Sequence, residues 1–150
     1  MAAGWIPRIG ERGPFLEGVA SGDPLGDRVV LWTRVTSDGP VEVDWVVASD
    51  PALREVVASG RAAAEPSADH TVKVDARGLE PGATYYYAFE AGGERSAVGR
   101  TKTLPLQCNH LRIGVTACAK YSAGHFNAYA RVADRRDLDL WLHIGDYIYE

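Results

Sequence analysis

Two cysteines in 150 residues are too few to fix a redox compartment. No window approaches the length of apolar sequence that spans a bilayer, so no transmembrane segment is expected. Positive charge is scarce and scattered. Sixteen Lys and Arg stand against twenty Asp and Glu, a net charge of −4, which argues against a nucleic-acid surface. An anionic substrate would have to be drawn by local cations, because the field of the whole molecule repels it. The stretch Met1-Ala2-Ala3-Gly4-Trp5-Ile6-Pro7 has neither a basic start nor an apolar core and so carries no signal peptide, although that absence does not make the protein cytosolic. Internal repeats and low-complexity tracts are also missing. What is present, 46% apolar and 24% charged residues, is the composition of a soluble globular protein. The length suits one domain, or a small domain with part of a second.

From Phe15 to about Thr103 short strands alternate with turn signals. Phe15 to Ala20 leads into the turn cluster Ser21-Gly22-Asp23-Pro24, where glycine, proline and aspartate favour reversal. Val29 to Val35 is rich in β-branched and aromatic residues. Val41, Val43, Trp45 and Val47 alternate with polar residues, which turns one face inward and one to water. Residues 52–64 offer alanines that favour helix, but their place between strands predicts an edge strand carrying Val56 and Val57. Thr71 to Asp75 alternates again. Leu79-Glu80-Pro81, followed by Tyr85, resembles the tyrosine corner of fibronectin type III-like sandwiches, in which the tyrosine hydroxyl bonds to backbone upstream. Tyr85, Tyr87 and Phe89 then share one face. About seven such strands predict an all-β sandwich of fibronectin type III or immunoglobulin-like kind over 15–105, after an N-terminal extension over 1–14.

After Leu104-Pro105-Leu106-Gln107 the pattern changes. Leu111 to Ala117 reads as a strand. Ser122 is a candidate N-cap for a helix whose stripe is Phe126, Tyr129, Ala130 and Ala133. Leu138 to Ile144 reads as a short buried strand that stops at Gly145. Strand, helix and strand in roughly thirty-five residues predict a βαβ unit with parallel strands. Cys118 and Asp146 should therefore leave the sheet on the same edge, the edge at which open α/β sheets collect ligands. One such unit cannot cover both faces of its sheet, so the expectation is an incomplete second domain over 110–150.

Cys118, Asp146 and Tyr149 are the candidate metal ligands. A carboxylate can bridge two cations, and paired metals roughly 3.5–4 Å apart serve phosphoryl transfer. Thiolate suits iron or zinc, while carboxylate alone suits calcium, magnesium or manganese. A phenolate beside the thiolate tilts the choice toward ferric iron. Rival readings stand beside each residue. Cys118 alone would be buried filler, and Tyr149 alone a packing residue. His143, inside the strand, reads as a satisfied core histidine or one that supports a ligand, rather than as a ligand itself. A Cys108–Cys118 disulfide is disfavoured, since an extended strand between them would hold the two roughly 20 Å apart. His70, His110 and His125 carry no signal. Lys120 and Tyr121 precede a helix N-terminus, a natural anion site, but read rather as a solvated loop.

Several motifs in order carry a resemblance. Gly18-Val19-Ala20-Ser21-Gly22-Asp23-Pro24 and Val30-Leu31-Trp32-Thr33-Arg34 are similar to the N-terminal domain of PhoD-type alkaline phosphatases. Ala117-Cys118-Ala119-Lys120-Tyr121, the run from Gly124 through Phe126 to Tyr129, and Leu142 to Glu150 are similar to the start of that family's metallophosphoesterase domain. The resemblance implies a phosphomonoesterase or phosphodiesterase using Fe3+ and Ca2+. By position it makes Cys118 and Tyr149 iron ligands and Asp146 a bridge from iron to calcium. The Gly-Asp-x-x-Tyr arrangement also resembles purple acid phosphatases. Ala119 and Lys120 depart from a more usual polar pair, and His125 from an aromatic, but none is an implied ligand. No catalytic residue beyond the metal ligands is assigned.

The expected function is thus the N-terminal portion of a metal-dependent phosphoesterase acting on a small-molecule or lipid phosphate ester. The remaining ligands are expected outside these residues, so this chain alone should have little activity. Secretion, or a periplasmic or cell-envelope location, is implied by the resemblance alone. Two alternatives remain open: a sandwich that works as a binding or adhesion module without catalysis, and a phospholipase D-type activity within the same family.

Overall fold

The computed structural model describes residues 13–123 and 125–149. Most of the expected N-terminal extension, together with Gly124 and Glu150 of the motifs above, lies outside them. The chain divides into two compact units between Leu106 and Gln107.

The first unit is built of strands. β1 (Val19–Gly22), β2 (Arg28–Arg34) and β5 (Thr71–Arg77) form one antiparallel sheet in the order β1-β2-β5. β3 (Val41–Ala48), β4 (Val56–Ala64) and β6 (Thr84–Ala91) form the second, in the order β4-β3-β6, with β7 (Glu94–Arg95) and β8 (Gly99–Lys102) both pairing with β6. The period-two patterning decides the packing, because alternate residues face alternate sides of a strand. Val29, Leu31, Val72, Val74 and Ala76 of one sheet meet Val43, Val47, Tyr85, Tyr87 and Phe89 of the other in a single buried cluster. The result is a mostly β, two-sheet sandwich. The stretch read as an edge strand is β4, at the edge of the second sheet. Ser21 and Gly22, read as part of a turn, continue β1 opposite Leu31 and Val30. The reversal falls later, beginning at Asp23, whose φ of 48° is left-handed.

Tyr85 closes the β5–β6 connection. The Glu80 N–H donates to its hydroxyl at 2.8 Å, and the Thr103 hydroxyl donates to the Glu80 carbonyl at 2.6 Å. These bonds satisfy backbone groups of the turn that have no strand partner. Two glycines permit aromatic rings to lie over a neighbouring strand. Trp45 covers its cross-strand partner Gly60, where a Cβ would come within 2.7 Å of the indole. Tyr87 covers its partner Gly99 still more closely.

In the second unit β9 (Ile113–Thr116) and β10 (Leu140–His143) pair in parallel, with Ile113 opposite Leu140 and Thr116 opposite His143. The helix α1 (Asn127–Asp134) lies between them in the chain. At the start of the pair Asp139 clamps Arg112, accepting its N–H at 2.8 Å and donating its own N–H to the Arg112 carbonyl at 2.9 Å. Helix α1 begins later than Ser122 suggests. A 3-10 turn occupies Tyr121–Ala123 instead. The residue preceding the helix is Phe126, whose left-handed φ of 50° breaks the helical path. The helix turns Tyr129 and Val132 to its half-buried side and leaves Ala130 and Ala133 exposed. β10 is not the buried strand its apolar run suggests. Trp141 and Leu142 are exposed, and Ala119 alone is buried among the described residues of this unit. Two strands and an eight-residue helix offer too little surface to enclose both faces of the pair.

The sandwich core makes its alkaline stability predictable. Burial pushes the Tyr87 phenol up to about 12, against a smaller opposing effect from a Ser21 hydrogen bond. Below the ordinary value of 10.0 both states keep the proton, and the stabilisation is complete. As pH rises from there toward about 12, the unfolded chain releases a proton that the native chain retains. Stability therefore falls across that window, by about 2–3 kcal/mol in all. Tyr87→Phe is expected to flatten this part of the curve. Urea unfolding across the alkaline range, followed beside tyrosinate absorbance, measures it.

Candidate metal centre

The parallel pairing of β9 and β10 continues beyond both strands as a backbone ladder. The Ile144 N–H donates to Thr116 O at 3.0 Å, the Cys118 N–H to Gly145 O at 3.2 Å, and the Ala119 N–H to Asp146 O at 3.0 Å. Past that point the chains meet again. The Tyr149 N–H donates to Ala119 O at 2.7 Å, and the Tyr121 N–H to Tyr149 O at 3.1 Å. A parallel bridge joins Lys120 to Tyr149. Lys120 and Tyr121, read from sequence as a solvated loop, thus form part of the frame that holds Tyr149.

Both candidate ligands at the strand ends are left-handed, Cys118 at φ 56° and Asp146 at φ 50°, with Gly145 at φ 121° between Asp146 and its strand. A strand that ran on would send successive side chains to opposite faces. The left-handed turns cancel that alternation and bring the three donors together. Cys118 Sγ lies 3.5 Å from Asp146 Oδ2, and the Tyr149 hydroxyl lies 3.8 Å from Cys118 Sγ. Cys118 is exposed, so burial as core filler does not describe it. Cys108 and Cys118 are both free thiols.

Electrostatics fit the geometry. Hydrogen bonding to Asp146, then to Cys118, with desolvation and their charge, holds the Tyr149 phenol well above the usual range. Two further potential anions beside a hydroxyl oppose its ionisation, and a cation among the three would favour it. Soft sulfur, hard carboxylate and phenol in mutual contact are a donor set suited to a transition-metal ion. No group of three or more His, Cys, Asp or Glu gathers among the described residues; here the third donor is a tyrosine.

His143 is close to this centre in sequence but is occupied elsewhere. Its Nδ1 accepts the Gly145 N–H at 3.3 Å, and its Nε2 meets the Tyr129 hydroxyl at 2.9 Å. The neutral tautomer with its proton on Nε2 satisfies both bonds. The Tyr129–His143 pair was not visible in the sequence, because no short-range spacing couples residues fourteen apart on a helix and a strand. His70, His110 and His125 take no part in the cluster.

Comparison with known proteins adds three findings. The family described as PhoD-like phosphatase, N-terminal domain, matches residues 3–105, and the family described as PhoD-like phosphatase matches residues 113–150. Over 149 residues the chain is 46% identical to alkaline phosphatase D of Bacillus subtilis (strain 168), covering 91% of this chain and 25% of that protein. The solved structure of PhoD is 43% identical, with a TM-score of 0.84, over 97% of this chain and 30% of that one. The chain thus spans about a quarter of the length of the curated relative.

The left-handed turns carry a measurable stability cost. A residue with a Cβ gives up about 1–2 kcal/mol in that region, and glycine gives up little. In the metal-free chain Asp146→Gly should leave the second unit as stable as before or more stable by about 1 kcal/mol, while Asp146→Ala should not. Denaturant protection of the β10 amides, measured by hydrogen exchange, distinguishes the two.

Proposed function

The chain belongs to the PhoD-like phosphatase family, and on that premise we propose that it is the N-terminal portion of a metal-dependent phosphoesterase. The sandwich over 15–105 is of fibronectin type III-like kind, after an extension over 1–14. The strand orders β1-β2-β5 and β4-β3-β6, together with the Tyr85–Glu80 bond, support that reading. Residues 110–150 begin the metallophosphoesterase domain, with β9, α1 and β10 as its first βαβ unit. The parallel register supports this assignment. The substrate is a phosphate ester, small-molecule or lipid, and the site of action is outside the cytoplasm or in the cell envelope.

The observation that carries the metal reading is the contact of sulfur, carboxylate and phenol at one sheet edge. Cys118 as thiolate and Tyr149 as phenolate would hold Fe3+, and Asp146 would bridge it to Ca2+. When bound, such a pair would supply charge neutralisation and would lower the pKa of a water enough for its deprotonated form to serve as the nucleophile on phosphorus. The chain's own part is orientation. Cys118 and Asp146 are fixed by bonds from their own peptide units to the opposite strand end, and Tyr149 is held on both sides by residues 119–121. Such preorganisation removes the reorganisation that a flexible donor set would need.

Two outcomes are expected. Ferric ion added to the 150-residue chain should produce the visible charge-transfer band of an iron–phenolate bond. Tyr149→Phe should abolish this phenolate band and leave only thiolate-to-iron absorption, Cys118→Ser should remove that thiolate absorption, and Asp146→Asn should weaken binding. A colourless chain, or a spectrum that Tyr149→Phe leaves unchanged, would remove the assignment. Three donors are fewer than a dinuclear centre requires, so hydrolysis of p-nitrophenyl phosphate by these residues alone should be near background in a metal-supplemented assay.

A further inference from the structure

His143 sits where a metal ligand is easily imagined, yet both of its ring nitrogens are engaged. Nδ1 accepts the Gly145 N–H at 3.3 Å, and Nε2 meets the Tyr129 hydroxyl at 2.9 Å. Binding a cation at either nitrogen would break one of these bonds. The ring itself is confined. Tyr147 meets it edge-on at 5.0 Å, Trp141 edge-on at 5.9 Å, and Tyr129 at 6.1 Å between centroids. Trp141 is anchored in turn, its indole N–H donating to the Thr116 hydroxyl at 2.9 Å.

The peptide units that this ring reaches are the ones that present Asp146. Gly145 takes a φ of 121° and Asp146 one of 50°, so the turn between them is sharp. Their carbonyls are already held from one side, by the N–H groups of Cys118 and Ala119. The Gly145 N–H is held from the other side by His143. We propose that Tyr129 and His143 are positioning residues, a strut between helix α1 and the end of β10 that fixes the Gly145 N–H and through it the turn presenting Asp146 to the metal. Tyr129 sets the plane and tautomer of the imidazole, and the imidazole sets the backbone. Outer partners of this kind commonly change metal affinity by about tenfold to a hundredfold when removed. The inference rests on the reading of Asp146 as a metal ligand, but the backbone half of it stands without any metal.

The test uses the 150-residue chain and two readouts, amide hydrogen exchange at Gly145 without metal and ferric titration through the charge-transfer band. His143→Leu should speed Gly145 exchange about tenfold or more, with the β9–β10 ladder amides unchanged, because only the local protection is lost. Ferric affinity should fall by about tenfold or more. His143→Asn, whose amide oxygen can occupy the place of Nδ1 but which cannot reach Tyr129, should restore both in part, to about the level of Tyr129→Phe, which a general packing role would not predict. Tyr129→Phe should give an intermediate loss. Wild-type exchange and affinity in His143→Leu would overturn the strut, as would failure of His143→Asn to restore either. Should His143→Leu not fold, the Asn and Phe variants decide by the same readouts. A wild-type chain that binds no ferric ion would end the metal reading, and Gly145 exchange would then decide the strut alone.

Discussion

The parallel register between β9 and β10 is the constraint from which the contact of Cys118 with Asp146 follows. A parallel pair sends both carboxyl ends to one edge, so Cys118 and Asp146 arrive together although twenty-eight positions separate them. Pairing Thr116 with His143 places the next residues in step, and the ladder keeps them in step for three more bonds. A slip of one residue would exchange the faces of every side chain beyond it. Cys118 would then oppose a different peptide, and sulfur and carboxylate would part.

The two units hold themselves together by different means. The sandwich buries a continuous cluster that includes Leu31, Val43, Val47, Val72, Tyr87 and Phe89. Burial of each such side chain contributes on the order of 1.5–3 kcal/mol before entropy is counted. The second unit has no comparable core among its described residues. Its order comes from backbone bonds, the Asp139 clamp on Arg112, and a run of ring contacts from Tyr121 through Phe126 and Tyr129 to Trp141, His143 and Tyr147. Aromatic contacts of this sort contribute about 0.5–1.5 kcal/mol each beyond area. Local polar geometry therefore weighs more here than hydrophobic burial.

That difference explains what the sequence disclosed. In the sandwich, alternation at Val29–Val35, Val41–Val47 and Tyr85–Phe89 marked both strand and core face, because one side of each strand is buried in the shared cluster and the other is, apart from Ala88, only partly covered or exposed. β4 was legible by position more than by pattern, its alanines being ambiguous. In the second unit the apolar run at Leu140–Ile144 correctly marked a strand, but it overstated burial. Hydrophobicity records what a segment can bury, and the described residues leave Trp141 and Leu142 exposed. The helix start was misread because Ser122 offers a cap by type, whereas the path is set by the left-handed Phe126, which no local preference announces. Cys118 and Asp146 were legible through topology. The Tyr129–His143 bond and the pairing of Tyr149 with residues 119–121 were not, since each joins segments that only the folded chain brings near.

Two donors that both lie within 4 Å of Cys118 Sγ could have been placed on one face by a regular strand only if their spacing matched a period of two, and 146 and 149 differ by an odd number. A straight extension would put Asp146 and Tyr149 on opposite faces. The left-handed residue at 146 removes that parity, and the second left-handed residue at 118 does the same for the facing chain. Each turn gives up about 1–2 kcal/mol of backbone preference, and each is bracketed by ladder bonds that contribute about 0.5–1.5 kcal/mol apiece. The strain is thus comparable to the bonds that hold it and cannot relax without breaking them. It falls on two of the residues whose side chains meet, where a change of backbone would separate sulfur from carboxylate. A site that needed less convergence would have no reason to depart from the strand.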